Sequence, residues 1–217
     1  MNSAVYKISD WIMKLVYVNI LWILLTLLGF VVGGFFPATV AMLTVVRHWI
    51  MGSTDIPIFK TFWFTYKENF LKANALGVII AFAGFLLYLD LLFFRDLGGQ
   101  IGYILLFLSF SIAILYLVVA FFILPVFVHF DIKMIECVKY AFIIGASYPL
   151  HVLYIGFSTF IILYVTASFP IIAIFFSGSL LSLLIMRFAY TAFESIDNKN
   201  NAKLTRELLK GYKSTNQ

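Results

Sequence analysis

The stretch "GFVVGGFFPATVAML", residues 29–43, decides the fold of this chain. It lies within a run that carries no charged residue from Leu15 to Val46. A single helix over that run would be about 48 Å long, whereas the hydrocarbon core of a bilayer is ~30 Å thick. The run therefore either crosses the membrane once as a kinked helix or turns back.

The residues inside the stretch favour a turn. Gly33 and Gly34 tolerate the backbone angles of a reversal, and Pro37 lacks an amide hydrogen and disfavours helix in the residue before it. We therefore predict a helix break at Gly33, Gly34 and Pro37, between a first membrane helix at 15–34 and a short helix at 37–50. The alternative is one span with a proline kink. The backbone of a turn must be covered by protein or reach the interface, since lipid offers no hydrogen-bond partners.

The composition places the whole chain in a membrane. Hydrophobic residues make up 63% of the 217 and charged residues only 12%, and the mean hydropathy is +1.03. No soluble segment is long enough to bury its own core, so residues 1–217 form a single membrane domain. Further membrane helices are predicted at 73–94, 102–126, 141–164 and 169–187. The predicted fold class is an all-α, polytopic transmembrane helical bundle with five full spans plus one short or re-entrant helix after Pro37.

The positive charges predict the orientation, because lysine and arginine are enriched on the cytoplasmic flanks of membrane helices. If residues 15–46 turn back, every lysine and arginine except Arg95 falls on one side. Both termini are then cytoplasmic in a bacterial cell membrane; a single crossing would put the amino terminus outside. Residues 188–217 form a basic cytoplasmic tail suited to anionic lipids. The net charge of +5 accompanies no nucleic-acid recognition motif, so we expect no nucleic-acid partner.

Several stretches resemble a known family. They are "NILWILL" (residues 19–25), "PATVAM" (37–42), "VVRHWIMG" (45–52) and "FWFTYKENF" (62–70). These resemble the YesL-like bacterial integral membrane proteins, catalogued as a domain of unknown function. Members are often encoded beside carbohydrate importers and sensor kinases, so the resemblance implies importer subunits or a kinase as partners. It supplies no catalytic residues.

The pattern of residues 56–72 predicts a helix that lies in the membrane interface, because aromatic residues recur at helical spacing with lysines beside them. An alternative is a connecting helix packed under the bundle. The candidate interfacial or partner surface consists of Phe59, Phe62, Trp63, Tyr66, Lys67, Asn69 and Phe70.

Small residues predict close helix contacts. Gly29 and Gly33 form a GxxxG pair, and Gly178 with Ser182 forms a weaker one. Both pairs fit packing within the chain, and the first also fits a homo-oligomer.

Polar residues inside the spans are where transport chemistry would show itself. Asn19, Asp90 and His151 are the candidates. Interfacial placement is the alternative for Asp90, and a hydrogen bond to a neighbouring helix is the alternative for His151. Three dispersed histidines and a single cysteine, Cys137, predict no metal site, and no cofactor motif is present.

The sequence contains no catalytic motif, which indicates a protein that is not an enzyme. The leading interpretation is a non-catalytic multi-pass membrane protein, accessory to a carbohydrate ABC importer or its sensor kinase. The alternative is a small solute transporter or channel with Asn19, Asp90 and His151 lining its path.

Overall fold

The computed structural model describes the backbone of residues 2–130 and 132–215, and the side chains of residues 6–130, 132–169, 171 and 174–196. The described residues form helices joined by short connections, which confirms the all-α bundle. The helices are α1 (Asn2–Leu28), α2 (Val32–Ile50), α3 (Ile58–Glu68), α4 (Phe70–Leu97), α5 (Gly99–His129), α6 (Met134–Ser147), α7 (Pro149–Ser168) and α8 (Pro170–Thr215).

Within the described residues, five segments are long and apolar enough to cross a bilayer. They are Tyr6–Leu28, Phe70–Leu97, Gly99–His129, Pro149–Ser168 and Ile174–Ile196. The helix α2 is the short additional element, and it is buried among its neighbours, packing against α1, α3, α4, α5 and α8. Most of its residues from Pro37 to Trp49 are buried. The core of the bundle therefore forms around α2.

The helices α1 and α2 form an antiparallel hairpin. The rings of Trp11 and Trp49 lie edge to face with centroids 5.6 Å apart. Further along the pair, Trp22 Nε1 donates a hydrogen bond of 3.1 Å to Thr39 Oγ1. Because the start of α1 lies beside the end of α2, the chain turns back, and a single kinked span is wrong.

The position predicted for the break is also wrong. The reversal lies at residues 29–31, where Phe30 (φ 55°) and Val31 (φ 64°) adopt left-handed backbone angles. Gly33, Gly34 and Pro37 lie inside α2 instead. The first helix consequently ends at Leu28, before the predicted boundary of 15–34, and the second begins before Pro37.

Two of the other predicted breaks lie close to breaks in the structure, and one break was missed. Gly98, at positive φ, separates α4 from α5, and Phe169 separates α7 from α8. The single span predicted at 141–164 is instead divided between α6 and α7 at Tyr148, which has φ −129° and ψ 63°. Pro149 disfavours helical angles in the residue before it, which accounts for this break. Backbone of the 188–217 tail continues α8 to Thr215, but its side chains beyond residue 196 lie outside the described part.

One end of the bundle gathers much of the positive charge. Trp11, Trp49 and Arg187 border one cleft, so the early part of α1, the end of α2 and the middle of α8 share this end. Arg47 and Lys133 border another cavity there. We refer to this end of the bundle as the basic end.

Candidate functional site

The turn between α1 and α2 is covered by side chains from the next two helices. Tyr66 Oη, from α3, donates a hydrogen bond of 3.1 Å to the carbonyl oxygen of Leu25. Asn74 Nδ2, from α4, donates a hydrogen bond of 2.8 Å to the carbonyl oxygen of Gly33. Protein groups thus satisfy backbone acceptors that apolar surroundings would leave unpaired, as a turn of this kind requires.

The bond from Asn74 also explains why α2 tolerates Pro37. In a regular helix the amide of residue 37 would donate to the carbonyl of Gly33, four residues earlier. Proline has no amide hydrogen, so that carbonyl is free to accept another donor. Asn74 supplies the donor, and the proline is accommodated without ending the helix.

Gly34 permits the closest approach of the two helices. A Cβ atom at Gly34 would lie 2.6 Å from the carbonyl oxygen of Leu25 and 2.8 Å from Thr26 Cα. Gly29 faces Gly34 and lies near the Tyr66 hydroxyl, whereas a Cβ at Gly33 would meet only Phe70 Cζ, at 3.9 Å. The close contact therefore lies between Gly29 and Gly34, within the chain. Gly33 belongs to α2, so it does not share a helix with Gly29 as the GxxxG motif required.

The helix α3 turns much of its aromatic face inward. Phe62 and Tyr66 are buried. Trp63 stacks on Tyr66, with ring centroids 6.1 Å apart, and Lys67 Nζ lies 5.0 Å from the Trp63 ring centroid. Phe70 packs against Tyr66 from the start of α4. Phe62 and Tyr66 are therefore unavailable to a partner.

A different face of α3 is exposed. Phe59 and Phe64 are 55% and 63% exposed, respectively, and Lys60 and Lys67 are exposed beside them. Asn69, at the junction with α4, is half-buried and bonds back to the carbonyl oxygen of Thr65. Of the predicted surface, Phe59 and Lys67 remain open to a lipid or protein contact, and Phe64 joins them.

Asn19 joins α1 to α8. Its side chain is fully buried and donates a hydrogen bond of 2.7 Å from Nδ2 to the carbonyl oxygen of Ile174. Its Oδ1 accepts a hydrogen bond of 2.9 Å from the Ser179 amide. A Cβ at Gly178 would lie 3.1 Å from Asn19 Oδ1, and Ser182, one turn further on, is also buried. Gly178 and Ser182 therefore lie at a helix contact within the chain, with Asn19 bonded across it.

Asp90 and His151 lie at other contacts. Asp90 borders a mainly apolar cleft formed by α4, α5 and α6. The His151 ring meets the edges of Tyr148 and Tyr154, and its buried Nδ1 has no hydrogen-bond partner among the described residues. The described contacts do not bring Asn19, Asp90 and His151 together along one path.

A cavity lined by polar and charged side chains lies at the basic end, with a volume of about 760 Å³. It is formed by the end of α2, the junction of α3 with α4, and the connection from α5 to α6. Its charged and polar lining consists of Arg47, Glu68, Asn69, Lys72, His129 and Lys133. In the sequence, each of these cations indicated only which side of the membrane its segment faces. The fold brings them together around one cavity.

Arg47 is held in place at this cavity. Its Nε donates a hydrogen bond of 3.2 Å to His129 Nδ1. The His129 ring packs against Phe193 and Tyr190 of α8, with centroids 4.6 and 5.7 Å away. The guanidinium is therefore positioned by a histidine that is itself packed between helices. In the described part of the chain, no cluster of three or more histidine, cysteine or acidic side chains could hold a metal ion.

Comparison with known proteins identifies the family. The family described as "Protein of unknown function, DUF624" matches residues 15–91. Uncharacterized protein YesL of Bacillus subtilis (strain 168) is 36% identical over 87% of this chain and 89% of its own length. The chain belongs to the DUF624 family. This confirms the YesL-like resemblance.

Two further proteins from the same organism are similar to this chain across most of their length. Uncharacterized protein YteU is 35% identical over 88% of this chain and 86% of its own, and uncharacterized protein YesV is 31% identical over 92% and 96%. No solved structure matches the chain. The DUF624 match begins in α1 and ends in α4, so it includes the hairpin, its two covering side chains and α3.

Proposed function

We propose that this DUF624 protein is a non-catalytic, multi-pass accessory protein of the bacterial cell membrane that acts with a carbohydrate importer or its sensor kinase. The resemblance to YesL-like proteins supports the choice of partner, through the genes that commonly neighbour theirs. In this proposal the basic end faces the cytoplasm, since lysine and arginine favour that side. Both the amino-terminal helix and the long carboxyl-terminal helix are then accessible from the cytoplasm.

The observation that carries the proposal is the exposed face of α3. Phe59 and Phe64 are exposed on a helix outside the five candidate spans, with Lys60 and Lys67 beside them. Aromatic anchors rimmed by charge are a common composition for protein contacts. The same composition suits a membrane surface, so the test has to separate a protein from lipid.

Site-specific photo-crosslinking makes that separation. Benzoylphenylalanine replaces Phe64 in one variant and Phe107 in the control; Phe107 is 77% exposed within the candidate span Gly99–His129. Membranes from cells grown on an inducing carbohydrate are irradiated, and the adducts are identified by mass spectrometry. We expect an adduct with an importer subunit or a sensor kinase at position 64 and lipid adducts at position 107. Lipid adducts alone at both positions would reject the accessory role and leave α3 as a membrane-surface helix.

A small solute transporter is the alternative, and it has less support because its three polar residues lie at separate helix contacts. His151 is its best remaining residue, since its Nδ1 is buried without a partner among the described residues. Solute flux in vesicles that changes on His151→Ala would favour the transporter; unchanged flux would favour the accessory role.

A further inference from the structure

We propose that the cavity at the basic end is a binding site for a phosphate group, with Arg47, Lys72 and Lys133 as its cations and the Asn69 amide as a neutral donor. This goes beyond the accessory role and does not depend on it. The cavity brings these side chains together from three separate parts of the chain: α2, the junction of α3 with α4, and the connection between α5 and α6.

Arg47 is the central residue of the proposed site. A guanidinium has five N–H donors, and Arg47 uses the one on Nε for the bond to His129 Nδ1. The two terminal nitrogens have no partner among the described residues and remain able to bind two oxygens of one phosphate. Because the Nε bond orients the half-buried group in advance, less side-chain entropy is lost when a ligand binds.

The charge balance of the cavity also favours an anion. Among the described residues, no carboxylate lies within ion-pair distance of Arg47, Lys72 or Lys133. Glu68 is the one carboxylate in the described lining, so positive charge is in excess. The acidic residue at position 131 lies outside the described part. Like charges around a shared space repel, and a bound phosphate would remove that repulsion.

The competing explanation is that these lysines and arginines are solvated and serve only to orient the protein in the membrane. It accounts for lysines spread around the end of a bundle, as Lys60 and Lys67 are on α3. It does not account for an arginine fixed by a hydrogen bond to a half-buried histidine, beside a cavity of about 760 Å³. That volume lies within the ~300–1,000 Å³ usual for ligand sites.

The remaining lining indicates what the rest of the ligand looks like. Phe127, Phe130, Ile132 and Met134 form an apolar part of the wall. A phosphate joined to a partly apolar or neutral group fits this arrangement. Two sources supply that chemistry: the headgroup of an anionic phospholipid, and a soluble phosphate monoester.

Two probes distinguish these sources on the purified full-length protein. In the first arm, protein released from nanodiscs of mixed phosphatidylglycerol and phosphatidylcholine is examined by native mass spectrometry for retained phosphatidylglycerol. In the second arm, glycerol 1-phosphate is titrated by calorimetry into protein in an uncharged detergent. The variants are Arg47→Gln and Lys72→Gln, and the matched control is Lys60→Gln, a lysine at the same end that borders a different cleft.

We expect retention or affinity to fall at least about tenfold in Arg47→Gln and Lys72→Gln, and to remain unchanged in Lys60→Gln. Lys72 is exposed, so its substitution leaves the packing intact even if Arg47→Gln fails to fold. Retained phosphatidylglycerol alone assigns the site to a lipid headgroup, and binding of glycerol 1-phosphate assigns it to a soluble phosphate; either supports the site. Absence of binding in both arms, or equal losses in Lys60→Gln, would overturn it.

Discussion

Replacing Gly34 by alanine should separate the two helices of the hairpin. The new Cβ would lie 2.6 Å from the Leu25 carbonyl oxygen and closer still to that of Thr26, and ordinary van der Waals contact begins at 3.4 Å. The helices α1 and α2 must therefore move apart by at least about 0.8 Å. The atoms in the way belong to the backbone of α1, which cannot rotate aside as a side chain can. Overpacking of this kind typically costs ~1–3 kcal/mol.

Gly33→Ala is the matched control. Its Cβ would meet only Phe70 Cζ, at 3.9 Å, so no atom needs to move. Both variants gain the same preference of alanine over glycine in a helix, up to ~1 kcal/mol, and this contribution cancels when the two are compared. The difference between them therefore reports the backbone contact alone.

The two variants are compared by heating fluorescently tagged protein in one detergent and measuring the folded fraction by size-exclusion chromatography. At ~2–4 °C per kcal/mol for a chain of this size, Gly34→Ala should melt about 2–12 °C below Gly33→Ala. Equal melting temperatures, or a higher one for Gly34→Ala, would refute the close contact. The reversal at residues 29–31 would then have to be reconsidered in favour of a kinked single span.

Three further outcomes follow from individual side chains. Asn19→Ala should lower the melting temperature, because it removes two hydrogen bonds between α1 and α8. Each such bond is worth ~0.6 kcal/mol on average in membrane proteins. An unchanged melting temperature in the same heating assay would contradict this. Tyr66→Phe should cost ~0.5–1.5 kcal/mol through loss of the bond to Leu25, and wild-type stability would show that the bond contributes nothing. Burial raises the pKa of the Tyr66 phenol, so it remains a protonated donor at neutral pH. Cys137 is buried, and burial also raises the pKa of its thiol. Maleimide should therefore label Cys137 only after the protein is unfolded in detergent. Rapid labelling in native membranes would argue against its position in the core.

The sequence was sufficient for features that depend on local composition. Runs of apolar residues predicted a helical membrane bundle, and the ends predicted at residues 94 and 164 lie within five residues of the breaks at Gly98 and Phe169. The reversal itself was expected, but it was placed at Gly33, Gly34 and Pro37. Those residue types end helices in isolation, and here a donor from α4 allows the helix to include them. The left-handed angles fall on Phe30 and Val31, which carry no local signal for them.

The candidate site was harder to predict because its parts are distant in sequence. Arg47 and His129 are separated by 82 residues, and nothing in either local sequence indicates their hydrogen bond. Tyr66 looked like part of an outward aromatic face, since helical spacing alone does not show which side of a helix is covered. The break at Tyr148 had a visible cause in Pro149, but prolines also occur inside membrane helices, as Pro125 does in α5.

The two donors that cover the hairpin turn also bear on how the protein is made. Tyr66 and Asn74 each follow the carbonyl they cover by 41 residues. The hairpin therefore leaves the ribosome before either donor does, and the Leu25 and Gly33 carbonyls must remain hydrated or held by the insertion machinery until the donors arrive. The final packing of α1 and α2 is therefore completed only after α3 and α4 have entered the bundle.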